Sequence, residues 1–164
     1  MVVSNLILRG ELKSLCSLED LIPFGTHFYD HRPRMIKFTR HGITLLVFTS
    51  LRFRLMGKGE HHKSVLAEFL NSIPWKIEAK NLKLSTMTLT HGIPYQINLH
   101  KLYRQPFSLD SEQFPAARWI HEGRENFNVF HSGCIVITGV TDINKTEAHA
   151  IPTLLSQLKN ACYS

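Results

Sequence analysis

The sequence predicts an α+β fold of two pseudo-symmetric repeats, each made of antiparallel strands followed by a helix. Three observations carry this expectation. Phe48, Ser50, Leu55 and Gly57 recur 82 residues later as Phe130, Ser132, Ile137 and Gly139, each time in an apolar run fit for two strands joined by a tight turn. Asn5-Leu6 is echoed 76 residues on by Asn81-Leu82. Each hairpin is followed by a helix-like segment. A repeat of about eighty residues is too long for most solenoid units and two copies are too few for one. A single domain over 1–164 is therefore expected, with repeat one at 1–75 and repeat two at 76–164.

Residues 4–12 alternate Leu6, Leu8 and Leu12 with polar or small residues, a strand that places Asn5 and Ile7 on the opposite face. Ser17-Leu18-Glu19-Asp20 opens a short helix, with Ser17 as N-cap and acids in its first turn. Pro23 and Gly25 end it. Met35 to Thr39, Ile43 to Thr49 and Arg52 to Gly57 read as three strands, with turns at Arg40-His41-Gly42 and Ser50-Leu51. Val65, Leu66, Phe69, Leu70 and Ile73 form one face of a helix over Glu60 to Ile73, stopped by Pro74.

In the second repeat, Ile77 to Thr90 gives one long or broken strand, and Pro94 precedes a helix near Ile97 to Tyr103. Arg118 to His121, Phe127 to Ser132 and Cys134 to Val140 repeat the three strands, and Thr146 to Leu158 repeats the long helix. Pro152 falls inside that last segment, where it removes an amide donor, so the helix either kinks or starts near Ile151. The link through Trp75 is short and contains no Gly/Ser-rich tract, which predicts rigidly packed halves.

Composition narrows the function classes. With 43% hydrophobic residues the chain can bury a core, and no stretch approaches a membrane span or a secretory leader, so a soluble, unsecreted protein is expected. Cys16, Cys134 and Cys162 form no Cys-x-x-Cys pair, which argues against a disulfide framework or zinc ribbon. The formal charge of +6 and a pI near 9.4 favour a polyanionic partner.

Phe114-Pro115, a strand with basic and aromatic residues, then Val129-Phe130-His131-Ser132-Gly133-Cys134-Ile135-Val136-Ile137-Thr138-Gly139 resembles the hairpin of the TATA-box-binding protein (TBP) family. That family writes it as Phe-Pro-Gly, a basic strand, then Ile-Phe-x-Ser-Gly-Lys-x-Val-x-Thr-Gly, and the first repeat fits the same frame. The resemblance implies a ten-stranded curved sheet, a saddle with helices on its convex back. It also implies that the concave side binds the DNA minor groove.

With Phe48 on that side, alternation adds Leu46 and Thr44, then Arg52, Arg54 and Met56; the second repeat supplies Asn126, Asn128, Phe130, Cys134, Val136 and Thr138. By resemblance, two phenylalanine pairs wedge between base steps and kink the duplex. Phe114 with Phe130 is one pair; Phe48 with Phe28 is the other, with Phe24 as the alternative to Phe28. Asn5 and Asn81 match the family's central asparagines, whose amides donate to A N3 and T O2 on the groove floor. Thr138 matches the threonine beside them, with Met56 as its first-repeat counterpart.

Lys83, Arg54, Asn126 and Asn128 stand where the family places mostly Val and Leu, and Leu51 replaces the first hairpin's turn glycine. Arg34, Lys37, Arg52, Lys58, Arg118 and Arg124 are candidate phosphate contacts at the rim. Asp110 and Glu112 match the family's acidic stirrup, which implies transcription factor IIB-like and other general initiation factors as partners.

Other chemistries find little support. Phe53, Phe69 and Phe127 are assigned to the core. His27, Asp30 and His31, or His61-His62, lack the spacing of a metal site, and Gly57-Lys58-Gly59 is no phosphate loop. No nucleophile sits in a catalytic frame. The expected protein is therefore not an enzyme, uses no cofactor or small-molecule substrate and engages no membrane. The resemblance implies that it bends A·T-rich duplex DNA in the nucleus during transcription initiation. The alternative is a TBP-fold interaction module that has lost bending and holds an acidic protein segment or mimics TBP as a regulator, and a third option is single-strand or RNA binding through exposed aromatics.

Overall fold

Twelve residues of alternating character, Val2–Lys13, form the first strand, β1, with Leu12 and Gly10 buried and Arg9 and Glu11 exposed. In this computed structural model the described residues are 1–27, 34–104, 106–110, 114–122 and 124–162. The strands that follow are β2 (Thr26–His27), β3 (Met35–Arg40), β4 (Ile43–Phe48) and β5 (Arg52–Gly57), then helix α1 (His62–Ser72). The long β6 (Glu78–Gly92) leads to β7 (Ser108–Asp110), β8 (Phe114–His121), β9 (Glu125–Phe130) and β10 (Cys134–Val140).

The chain divides into two compact units, one of Asn5–Ser85 and one of Met1–Ser4 with Thr86–Ser164. This differs from the expected junction near residue 75, because β6 is long enough to give its first half to one unit and its second half to the other. The first unit orders its strands β2-β3-β4-β5-β1, and the second orders them β6-β10-β9-β8-β7, all antiparallel.

In the first unit, alternation puts Ile43, Leu45 and Val47 of β4 and Phe53 and Leu55 of β5 on a dry face. Helix α1 covers that face with Val65, Leu66 and Phe69. Phe38 and Phe69 pack with ring centroids 5.4 Å apart. Burying a side chain such as Phe53 or Phe69 contributes about 1.5–3 kcal/mol, so this face outweighs any single surface contact. In the second unit Trp119 and Phe127 lie 5.0 Å apart, and Val129, Ile135, Ile137, Leu154 and Leu158 are buried.

The turns follow local chemistry. Arg40 pairs with Ile43 across His41 and Gly42, both at positive φ, the two-residue turn that matches strand twist. Leu51 and Gly133 occupy equivalent turn positions at φ 58° and 83°, each donating its amide back to Phe48 or Phe130.

Three expectations need correction. The segments expected as helices after Ser17 and Pro94 are 3₁₀ turns, Glu19–Phe24 and Leu99–Leu102. Ser17 does not cap the first; its amide and hydroxyl both donate to the Asp20 carboxylate, and Leu18 occupies the cap position. Pro23 lies within that turn and leaves no amide to extend an α-helical ladder.

The regular α-helix starts at Ile151, the later of the two expected starts, but helical backbone begins well before it. It runs through α2 (Ile143–Lys145), a π-helical stretch at Thr146–Ala150 and α3 (Ile151–Leu158). The Asp142 carboxylate accepts from the Lys145 amide and starts it. The wider π turn, closed by Ile151 N–H to Thr146 O, lets the helix continue into Pro152. Finally, β8 begins at Phe114 rather than Arg118, which adds the buried Ala116 and Ala117 to the sheet.

Candidate nucleic-acid interface

The helix-free face of the first unit presents every second residue of four strands. Register places Lys37, Leu46, Arg54 and Arg9 in one row across β3, β4, β5 and β1. The next row is Thr39, Thr44, Met56 and Ile7, with the two threonine hydroxyls 3.3 Å apart. Phe48 closes β4 opposite Met35, and the Arg54 guanidinium carbon lies 5.9 Å from its ring centre.

Arg52 reaches Glu11 at 3.7 Å, and the Asn81 amide donates to the other oxygen of that carboxylate at 3.5 Å. Arg9, Glu11, Phe48, Arg52, Arg54, Asn81 and Lys83 line an open groove of about 700 Å³. Asn81 adopts a left-handed backbone at φ 55° within β6, a conformation asparagine tolerates. It therefore differs from the expected strand opening, and its amide is engaged by Glu11. Asn5 lies half-buried on β1, and Arg34 and Lys58 are exposed.

The second unit has the same architecture and different chemistry. Arg118, Asn128, Val136 and Thr90 form the row across β8, β9, β10 and β6, followed by Ile120, Asn126 and Thr138. Asn128 is only 8% exposed, and the Asn126 Oδ1 is buried with no hydrogen-bond partner among the described residues. Phe114 and Phe130 meet edge-to-face with ring centres 5.8 Å apart, and the Arg118 guanidinium lies 4.8 Å from the centre of the Phe114 ring. Arg124 is exposed in the β8–β9 turn.

Within the first unit the structure thus brings Ile7, Lys37, Leu46, Phe48, Arg54 and Met56 onto one face, with Arg52, Asn81 and Lys83 lining its groove, and within the second it groups Phe114, Arg118, Asn128, Phe130, Val136 and Thr138. Phe28 and Glu112 lie outside the described residues, and Asp110 ends β7 in register with Phe114. Phe24, the alternative to Phe28, instead packs edge-on against Trp75 at 5.6 Å, because its 3₁₀ turn directs it toward the core. Arg9 and Ile120 were missed, though counting every second residue from Ile7 and from Arg118 places them on this face.

The core assignments hold, with Phe53, Phe69 and Phe127 at most 1% exposed. Buried His62 directs Nε2 to the Leu6 carbonyl at 3.1 Å, while His61 faces His41. Asp30 and His31 lie outside the described residues. Among those described, no three His, Cys, Asp or Glu side chains converge as metal ligands, and no helix is long and apolar enough to cross a membrane.

No protein-family model and no curated protein matches the sequence. The structure is similar to that of Methanococcus jannaschii TBP, with a TM-score of 0.79 and 18% identity over 98% of each chain. The chain has a TBP-like fold. The resemblance carried by residues 114–139 is thereby supported at the level of the whole backbone. In this TBP-like frame the Phe114–Phe130 pair stands at the turn end of the sheet, beside the β9–β10 hairpin.

Proposed function

We propose that this TBP-like chain binds duplex DNA through the minor groove and bends it. The observation that carries the reading is the Phe114–Phe130 pair, two half-buried rings in contact at one end of a helix-free sheet face with Arg118 against them. Half-buried aromatics at strand ends can enter a base step with little rearrangement. Unstacking a step costs a few kcal/mol, offset by the protein surface a bent duplex reaches. Arg118, Arg124, Arg34 and Lys58 then neutralise phosphates and add affinity that weakens with salt.

In this reading Phe48 supports the second kink. Asp110, with Glu112, receives an initiation factor of the transcription factor IIB type, and the protein acts in the nucleus without catalysis or cofactor. The test is energy transfer across a short A·T-rich duplex labelled at both ends. The native chain should bring the ends together, and Phe114→Ala/Phe130→Ala should bind with the ends left apart. A native chain that binds a straight duplex would sink the wedge mechanism.

A further inference from the structure

Apart from the cross-strand rows of its helix-free face, the first unit exposes an apolar patch where β1 ends and β6 begins. Leu15, in the turn after β1, is fully exposed, and Trp75, shortly before β6, keeps 37% of its surface open to solvent. Both are held in place. Trp75 meets the Phe24 ring edge-on, Phe24 packs on the core, and the Cys16 amide donates to the Ser14 hydroxyl at 3.2 Å across the Leu15 turn. Ser14, Leu15, Cys16, Asp20, Trp75 and Lys76 line a cavity of about 450 Å³. A second cavity of about 310 Å³ shares Ser14, Leu15 and Lys76 with it and adds Lys13 and Glu78.

Charge around the two cavities is uneven. Lys76 donates to Glu78 at 3.0 Å, and with Lys80 and Lys13 it holds that carboxyl below its ordinary pKa, so three lysines share one acid. No other carboxylate among the described residues forms an ion pair with any of the three. Asp20 lines only the first cavity, and its carboxylate accepts from the Ser17 amide and hydroxyl at 2.8 and 3.1 Å. A tryptophan fixed by its neighbours is the kind of side chain that anchors an interface. The lysines beside it favour acids in whatever covers the patch.

We propose that the Leu15–Trp75 patch docks a short acidic segment of another protein, with a leucine or phenylalanine seated beside Trp75 and carboxylates on Lys13, Lys76 and Lys80. Segments that alternate acidic and hydrophobic residues carry this chemistry within one short stretch of chain. A second copy of this protein is a poor source of the acids, since its own net charge is +6. None of the patch residues stands in the rows of the helix-free face, so the inference is independent of the duplex-binding reading.

The test titrates the full chain into a fluorescein-labelled peptide that alternates glutamate with leucine and phenylalanine. One control peptide has glutamine for every glutamate, and the other has alanine for every hydrophobic residue. Anisotropy gives Kd, and Trp75 emission reports the seat, because the other tryptophan, Trp119, is buried in the second unit. The acidic peptide should bind saturably and more weakly as salt rises, and each control should bind at least about tenfold more weakly. Leu15→Asp should weaken binding by about tenfold or more, and Lys13→Gln/Lys80→Gln by about threefold or more. Both variants replace exposed side chains, and urea unfolding unchanged from the native chain separates lost affinity from lost folding. Equal affinity in Leu15→Asp, or no saturable binding by the native chain, overturns the assignment. Complete displacement of the peptide by an A·T-rich duplex places it on the helix-free face and overturns it too, as does dimerisation that Leu15→Asp abolishes and the peptide leaves unchanged. Peptide binding by a chain that leaves duplex DNA straight supports the inference and removes only the bending reading.

Discussion

The two hairpin turns offer a sharp test of whether the repeat is structural. Gly133 sits at φ 83°, and a Cβ placed there would lie 2.3 Å from the Tyr95 carbonyl oxygen and 2.6 Å from that of Ile93. Left-handed backbone costs an L-residue about 1–2 kcal/mol. Both obstructing atoms are backbone, so relief requires the 93–95 segment to move, at an overpacking cost of about 1–3 kcal/mol. That movement also strains the Ile93 N–H bond to the Gly133 carbonyl, now 3.0 Å, for about 1 kcal/mol more. Gly133→Ala should therefore destabilise the protein by about 3–6 kcal/mol, a large share of a typical 5–15 kcal/mol.

Leu51 occupies the equivalent place at φ 58° and already bears a side chain, half-buried against the first unit's core. Leu51→Gly relieves about 1–2 kcal/mol of backbone strain. It loses about 1 kcal/mol of partial burial, so its net effect should stay within about 1 kcal/mol. Urea unfolding followed by circular dichroism measures both. A Gly133→Ala cost below about 1 kcal/mol, or equal costs at the two turns, would refute the reasoning.

Two further outcomes follow from the same geometry. Asn126→Val removes a buried acceptor that has no partner among the described residues and should raise stability by about 1–2 kcal/mol, seen as a rise in Tm of roughly 2–8 °C, whereas a fall would mean the oxygen is satisfied. Burial, and after it the positive amino terminus, push the His91 pKa below its ordinary value near 6.5 against an opposing pull from Glu147. The unfolded chain then takes up a proton that the folded chain refuses, so stability should fall as pH drops below about 6.5 and level off below the folded pKa. Thermal melts between about pH 7.5 and 5 should lose that segment of the curve in His91→Gln, and an unchanged curve would exclude His91 as its source.

Much of this fold was legible because alternation is a local property. The pattern in Ile43 to Phe48 and Arg52 to Gly57 fixed which side chains face the helix, and the structure places Thr44, Leu46 and Phe48 on the opposite side as expected. Arg54 facing Arg9 was not legible, because the register between β5 and β1 joins residues 45 positions apart and is set by packing rather than by one turn. The left-handed Asn81 was hidden for a related reason, since one residue at positive φ leaves the composition of a strand unchanged. The short 3₁₀ turns were read as helices because caps and apolar spacing look alike over one turn.

The structure also gives the repeat a physical cause. Gly57 and Gly139, 82 residues apart, both sit where a Cβ would collide with a carbonyl oxygen, that of Gly42 at 2.6 Å and that of Arg124 at 2.9 Å. Those two obstructing residues are themselves 82 apart. Phe48 and Phe130 each accept the turn amide of residue 51 or 133, at 2.8 and 3.0 Å. The echoed residues are therefore those that close the hairpins, where a side chain or a shift in register would be costly. The outward rows are free of that constraint, and there the units differ, with Leu46 and Arg54 in one and Asn128 and Val136 in the other. Sequence identity with Methanococcus jannaschii TBP can thus be as low as 18% while the backbone matches over 98% of both chains. A small set of closing residues specifies the hairpins, and the helix-free face can change its chemistry without changing the fold.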